Sequence, residues 1–142
     1  SEGELEVVKG SKGRIRTWFD ADLAAARFRG ETWAQQVARI TEDLPQEVYV
    51  SFDVDGLDAV YCPHTGTPVP GGLSFHEASF LLGEVVRSGR RIVGFDLNET
   101  APGPDGDPWD AIVGARMLYK LIGWTLRSEQ RATPRRARKP RR

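Results

Sequence analysis

A short apolar run that ends in two acidic residues constrains the fold of this chain more than any other stretch. Val48 to Phe52 reads VYVSF, and Asp53 and Asp55 follow it, ahead of a loop rich in Gly, Pro and Thr. A short β-branched run is typical of a parallel strand buried on both faces. Because side chains at i and i+2 of an extended segment lie on the same side, we expect both carboxylates to point the same way.

Three helices are predicted around this run. An apolar stripe of helical period begins near Thr32, which is a plausible N-cap. Ser74 and Glu77 have the spacing of a capping box and predict the start of a second helix. Asp110 is expected to cap the last helix, which ends before a basic tail.

Strands alternate with these helices. Arg91 to Leu97 (RIVGFDL) is predicted to be a strand, and Glu4 to Val8 (ELEVV) is read as a strand or the end of one. The alternation predicts right-handed crossovers and an α/β fold, with a parallel sheet that carries helices on its faces. In such sheets ligands bind beyond the carboxyl ends of the strands. Asp53, Asp55 and Glu99 all follow predicted strands.

Composition predicts one domain and a tail. Residues 1–127 are expected to form the α/β domain, and residues 128–142 a basic, disordered tail. Arg131 to Arg142 holds seven basic residues, which leaves 13 basic and 20 acidic residues in the rest of the chain. An acidic body does not resemble a nucleic-acid binder, although the tail alone is suited to polyanions. The polar N-terminus, the single cysteine and the absence of long apolar runs predict a cytoplasmic protein without membrane segments.

The strand-end carboxylates predict metal chemistry. Asp53 and Asp55 suit hard or borderline cations such as Mg²⁺ or Mn²⁺, and the alternative is a turn in which they accept backbone N–H groups. Glu99 is positioned to pair with a planar guanidinium, or is a surface residue. Thr67 lies in a rigid TGTPVPGG loop that either lines a pocket or is only a loop. His64 fits no strong ligand motif and is not assigned.

The segment SFDVDGLDAVYCPHTGTPVPGGLS, at residues 51–74, resembles the signature of the ureohydrolase family, which contains arginases, agmatinases, guanidinobutyrases and formiminoglutamases. GFDLNETAP, at residues 94–102, resembles the family's later strand-end segment. WDAIVGARMLYKLIG, at residues 109–123, resembles its C-terminal helix. The resemblance covers residues 4–124 and is most specific over residues 49–73.

The resemblance implies a three-layer α/β/α fold with a parallel sheet. It also implies a binuclear manganese hydrolase of linear amidines or guanidines, agmatinase-like, that releases urea and an amine from a small cationic substrate. Asp53 would bridge the metals and Asp55 would chelate one of them. Glu99 would hold the guanidinium, and Thr67 would line its pocket. No catalytic side chain is assigned, because the family's nucleophile is a hydroxide held by the metals. Homo-oligomers are common in the family.

This sequence also differs from the family pattern. Family members are about twice as long, and their Gly-Gly-Asp-His and Asp-Ala-His-x-Asp segments, which supply the other metal ligands, are absent here. Ala59 and His64 replace a frequent proline and a small residue. We therefore expect the C-terminal half of the arginase-like fold, inactive alone. The alternative is a non-catalytic fragment that associates with a homologue.

Overall fold

Two compact units make up the chain, and they divide between Gln36 and Val37. The computed structural model describes residues 2–132. The tail predicted for residues 128–142 therefore lies mostly outside the described residues. Its first part, residues 128–132, belongs to the last helix, so this helix continues beyond the predicted boundary.

The first unit is helical. Helix α1 spans Glu2–Gly10 and helix α2 spans Asp20–Phe28. The prediction of a strand at Glu4 to Val8 is wrong, because this segment lies within α1. Two acidic residues in the first turn of α1, Glu2 and Glu4, interact favourably with the helix dipole, and the β-branched residues are too few to outweigh that.

Helix α3, Trp33–Glu42, begins in the first unit and ends in the second. Its start confirms the predicted cap at Thr32. The Thr32 hydroxyl accepts the Gln35 amide at 3.3 Å, and the Thr32 amide donates to Gln35 Oε1 at 2.8 Å. This reciprocal pair satisfies two N–H groups that would otherwise lack partners at the helix start.

The second unit contains the one sheet found in residues 2–132. Strand β1, Glu47–Asp53, and strand β2, Arg91–Asn98, pair in parallel, which confirms the predicted arrangement. Helix α4, Phe75–Arg87, connects them. Its capping box is formed as predicted: Ser74 Oγ accepts the Glu77 amide at 3.1 Å, and the Ser74 amide donates to Glu77 Oε2 at 2.8 Å.

The hydrophobic core lies between one face of this sheet and two helices. Helix α5, Trp109–Ala132, packs against both β2 and α4. The fully buried residues of the core include Val54, Leu57, Met117 and Leu121. Among the described residues, no helix is long and apolar enough to cross a membrane.

The opposite face of β1 is open. Tyr49, Ser51 and Asp53 are exposed, whereas Val48 is buried and Val50 is half-buried on the core side. The prediction that β1 is buried on both faces is therefore wrong. Helices α4 and α5 cover only the core side, so the strand shows the in–out alternation of a half-covered sheet.

Candidate functional site at the strand ends

The two predicted metal ligands, Asp53 and Asp55, lie at the carboxyl end of β1. Asp53 is the last residue of β1 and pairs in register with Asn98 of β2. A single turn of 3₁₀ helix, Val54–Gly56, follows and carries Asp55. The sequence pattern predicted Asp55 in an extended segment, and this is wrong, because β1 ends at Asp53 and Asp55 lies in the turn.

Asp53 is not used to cap this turn. Its backbone occupies the N-cap position of the 3₁₀ helix, but its side chain makes no capping hydrogen bond. Partial desolvation raises the pKa of Asp53, and the negative charges of Asp55 and Asp96 raise it further. A carboxylate held against two others is a place where a cation lowers the electrostatic free energy.

Asp96, the third carboxylate of this region, is fixed by neighbouring side chains. It accepts from Ser51 Oγ at 2.7 Å and from Asn98 Nδ2 at 2.6 Å. The hydrogen bond from Ser51 is the largest cause that lowers the pKa of Asp96, and Tyr49 and Asn98 contribute in the same direction. Asp96 is thus a charged neighbour of Asp53 whose side chain is held in place by hydrogen bonds.

Asp55 contacts the loop that the sequence assigned to a substrate pocket. Thr67 Oγ1 donates to Asp55 Oδ2 at 2.6 Å, across twelve residues of chain. The structure therefore brings together a predicted metal ligand and a predicted pocket residue. A hydroxyl that donates to a carboxylate makes a short, charge-assisted hydrogen bond, which fixes the orientation of both groups.

Hydrogen bonds and a close approach between two backbone segments hold the two ends of this loop together. Asp58 accepts the amides of Val60 and Gly71, each at 3.1 Å, and these bonds lower its pKa. Gly72 lies so near Leu57 that a Cβ atom there would stand 2.4 Å from the Leu57 carbonyl carbon. The two ends of the loop are therefore joined by contacts that only glycine at position 72 allows.

Glu99 lies at the end of β2 in a strained conformation. Its φ is 63°, in the left-handed region that non-glycine residues seldom adopt. Its Oε2 atom would be 3.5 Å from a Cβ added to Gly66, so the carboxylate faces the loop one residue before Thr67. Such outliers are frequent at functional sites, where the surrounding structure maintains the strain.

The metal-binding capacity of this region is partial. Asp53 and Asp55 interact electrostatically, yet residues 2–132 contain no group of three His, Cys, Asp or Glu side chains arranged to hold an ion. Two carboxylates provide oxygen donors of the kind that Mn²⁺ prefers, but they fill only part of its coordination sphere.

Sequence reasoning missed one pair near this site. Asp110 was predicted to cap α5, and this is wrong, because Asp107 Oδ1 accepts the Trp109 amide at 3.0 Å instead. Asp110 lies in the first turn and is fully buried. Its Oδ2 atom accepts the backbone amide of His64 at 3.0 Å, and its Oδ1 atom lies 2.9 Å from His64 Nδ1. The only advance signal was the histidine at a position where the resemblance predicts a small residue.

Cys62 lies beside this pair and is not a nucleophile. The side chain is buried and forms no disulfide. Burial raises the pKa of the thiol to about 11, and the charge of Asp110 adds to the effect. Because the thiolate is the reactive form, this cysteine is protonated and inert at neutral pH.

Comparison with known proteins identifies related sequences. A family model described as the arginase family matches residues 14–123. An agmatinase of Cronobacter sakazakii is 35% identical over 130 residues, which is 86% of this chain and 41% of that protein. The N(1)-aminopropylagmatine ureohydrolase of Thermococcus kodakarensis is 40% identical over 116 residues, with 77% of this chain and 40% of that protein covered.

Solved structures give the same result for the fold. A hypothetical agmatinase from Burkholderia thailandensis superimposes with a TM-score of 0.61 at 32% identity, over 82% of this chain and 39% of that one. An arginase from Bacillus subtilis superimposes with a TM-score of 0.70 at 23% identity, over 87% of this chain and 41% of that one. These matches confirm the predicted arginase-like α/β fold. The chain spans about two fifths of the length of each of these four relatives.

Proposed function

The chain belongs to the arginase family, and on this premise we propose that it supplies the strand-end part of a manganese-dependent ureohydrolase site. In this proposal Asp53 and Asp55 are metal ligands, and Glu99 and Thr67 contact a small cationic guanidine or amidine. The observation that carries the proposal is the 2.6 Å hydrogen bond from Thr67 to Asp55, since it joins the two groups of residues into one site.

The donor set fits part of a manganese site. Asp53 is exposed, makes no capping hydrogen bond and has a raised pKa beside two other carboxylates, so a dication there would relieve repulsion. A bound Mn²⁺ pair would supply Lewis-acid activation of water at neutral pH. The remaining ligands would come from outside residues 2–132, because the described residues hold no complete cluster.

In this proposal Glu99 and Thr67 bind and orient the substrate. Glu99 is exposed at the end of β2 and faces Gly66, so its carboxylate is available for the bidentate pairing that a planar guanidinium makes. Thr67 uses its proton on Asp55, which leaves the oxygen lone pairs free to accept a substrate N–H. The charges of Asp53, Asp55 and Asp96 add a negative potential that favours a cationic ligand.

A urea-release assay tests the catalytic part of the proposal. We expect the purified chain with Mn²⁺ to release no urea from agmatine or arginine above the buffer rate, because the ligand set is incomplete. Release that depends on Asp53, and that is lost in Asp53→Ala, would refute the inactivity of the isolated chain. Release that persists in Asp53→Ala and Glu99→Gln would refute the assignment of the site itself.

A second candidate function is association without catalysis. The open face of the sheet favours it, because Tyr49 and Val93 are 62% and 48% exposed on two neighbouring strands. Large exposed apolar side chains on a sheet face are typical of an interface. In this proposal the face packs against a homologue, which would be a second copy or a longer family member.

Light scattering after size exclusion tests self-association through this face. Val93→Lys on the sheet is compared with Val60→Lys, which changes a more exposed valine, 68% against 48%, in the loop. Association through the sheet predicts a lower mass for the Val93 variant and an unchanged mass for the Val60 variant. Equal masses for the wild type and both variants would exclude self-association through this face.

A further inference from the structure

A buried carboxylate links the substrate loop to the first turn of α5. Asp110 is completely buried. Its Oδ2 atom accepts the backbone amide of His64 at 3.0 Å, and its Oδ1 atom lies 2.9 Å from His64 Nδ1. Both carboxylate oxygens are therefore committed to a single residue, which lies 46 positions earlier in the chain.

The surroundings leave this pair little freedom. A Cβ atom at Gly103 would lie 2.9 Å from His64 Cε1, so the imidazole is packed directly against this glycine. A second contact of α5 with the same loop lies nearby, where Trp109 Nε1 donates to the Val60 carbonyl at 3.1 Å. The loop segment from Val60 to His64 is thus attached to α5 at both ends.

The attachment point is close to the proposed site. Thr65 follows His64 and is buried, Gly66 faces Glu99, and Thr67 donates to Asp55. Only Thr65 and Gly66 therefore separate His64, the partner of the buried carboxylate, from Thr67, whose hydroxyl contacts a proposed metal ligand. A backbone fixed at His64 allows Thr67 only a short range of positions, because each residue of chain spans about 3.3–3.6 Å at most.

We propose that His64 and Asp110 act together as a positioning pair that holds Thr67 in contact with Asp55. Neither residue touches the reacting groups, and their relevance to catalysis rests on the proposed function. Asp110 is the buried anchor, and His64 transmits its position to the loop through a backbone and a side-chain hydrogen bond. The family resemblance predicts a small residue at position 64. Such a residue could make only the backbone hydrogen bond to Asp110, not the side-chain one.

The first test is the tautomer of His64, measured by ¹⁵N NMR at a pH where both imidazoles are neutral. A ring nitrogen that faces a carboxylate carries the proton, so we expect Nδ1–H at His64. His76, which is exposed, is the internal reference because the chain has only two histidines. A His64 spectrum that matches that of His76, or one unchanged by Asp110→Asn, would overturn the proposal.

The second test measures the loop. His64→Ala keeps the backbone bond to Asp110 but loses the side-chain bond, whereas His64→Asn offers an amide nitrogen near the position of Nδ1. We expect the amide of residue 64 to exchange its hydrogen about tenfold faster in His64→Ala, which corresponds to about 1.4 kcal/mol. The Thr67 resonances should shift in His64→Ala and return in His64→Asn.

Two controls make the outcome specific. Amides of α4 report global stability, and they should exchange alike in the wild type and in both His64 variants. His76→Ala should leave the loop unchanged. Thr67 resonances that stay fixed in His64→Ala, or that move equally in His76→Ala, would refute the positioning role. Because neither metal nor substrate is present, a failure here is distinguishable from a failure of the proposed function.

Discussion

Replacing Gly72 with alanine tests whether the loop depends on a backbone approach that excludes a side chain. The added Cβ atom would lie 2.4 Å from the carbonyl carbon and 2.5 Å from the carbonyl oxygen of Leu57, and 2.6 Å from the Asp58 amide nitrogen. All three are backbone atoms, so no rotamer change relieves the overlap. The segment must move apart, which breaks the bridge between Leu57 and Leu73.

The expected cost follows from these contacts. Overpacking in a closed region costs about 1–3 kcal/mol, and here two backbone hydrogen bonds are also at risk: Asp58 to Leu73 at 2.9 Å and Leu73 to Gly56 at 3.0 Å. We therefore expect Gly72→Ala to lower the free energy of unfolding by about 2–3 kcal/mol. The Thr67 contact with Asp55 should weaken as well, because the loop end that carries Gly72 is displaced.

Urea denaturation at pH 7, followed by circular dichroism and by tryptophan fluorescence, measures this change. Gly56→Ala is the matched control, since no atom lies within 4 Å of the Cβ position at Gly56. The control should be neutral or stabilising by up to about 1 kcal/mol, because alanine reduces the entropy of the unfolded chain. Equal stabilities for the two variants would refute the close-approach argument.

Three further predictions concern single side chains. Ser128→Ala should lower the free energy of unfolding by about 1–3 kcal/mol, because the Ser128 hydroxyl accepts the hydrogen bond of the buried Ile92 amide. The control Ser88→Ala, whose hydroxyl donates to the Val85 carbonyl, should lower it less, and urea denaturation measures both. Native Cys62 should react with iodoacetamide at pH 8 at least 100-fold more slowly than in urea, since a pKa of about 11 leaves about one thiol in a thousand ionised. Asp96→Asn should be less stable than the wild type at pH 7, with a difference that shrinks as the pH falls below 3.8, because the lowered pKa of Asp96 stabilises the fold only while it is charged. An Asp96→Asn difference that is independent of pH would contradict the assigned cause.

Local patterns predicted the framework correctly where several independent signals in the sequence agreed. The strands at β1 and β2 have apolar runs, turn residues and a crossover helix with a complete capping box, and all of these agree. The rule that ligands bind beyond parallel strand ends also indicated the region in which Asp55 and Thr67 meet. Agreement among several local signals is what makes a fold readable from one sequence.

The errors arose where a single local signal competed with tertiary context. Glu4 to Val8 has strand-like residues but lies in a helix, because propensity is a weak guide for five residues. Asp110 has the right identity for a helix cap, yet a histidine 46 positions earlier uses both of its oxygens. Such long-range polar pairs leave no periodic trace in the sequence, so neither period nor spacing reveals them.

The most direct measurement of the central claim is the site of Mn²⁺ binding, located by NMR line broadening at substoichiometric metal. The proposal predicts weak binding that broadens the resonances of Asp53 to Gly56 and of Thr67, and that is lost in Asp53→Asn/Asp55→Asn. A matched control is Asp20→Asn/Asp22→Asn, an exposed pair with the same spacing on α2. Broadening that is unchanged in Asp53→Asn/Asp55→Asn, or that is lost equally in the Asp20/Asp22 control, would contradict the assignment of Asp53 and Asp55 as metal ligands.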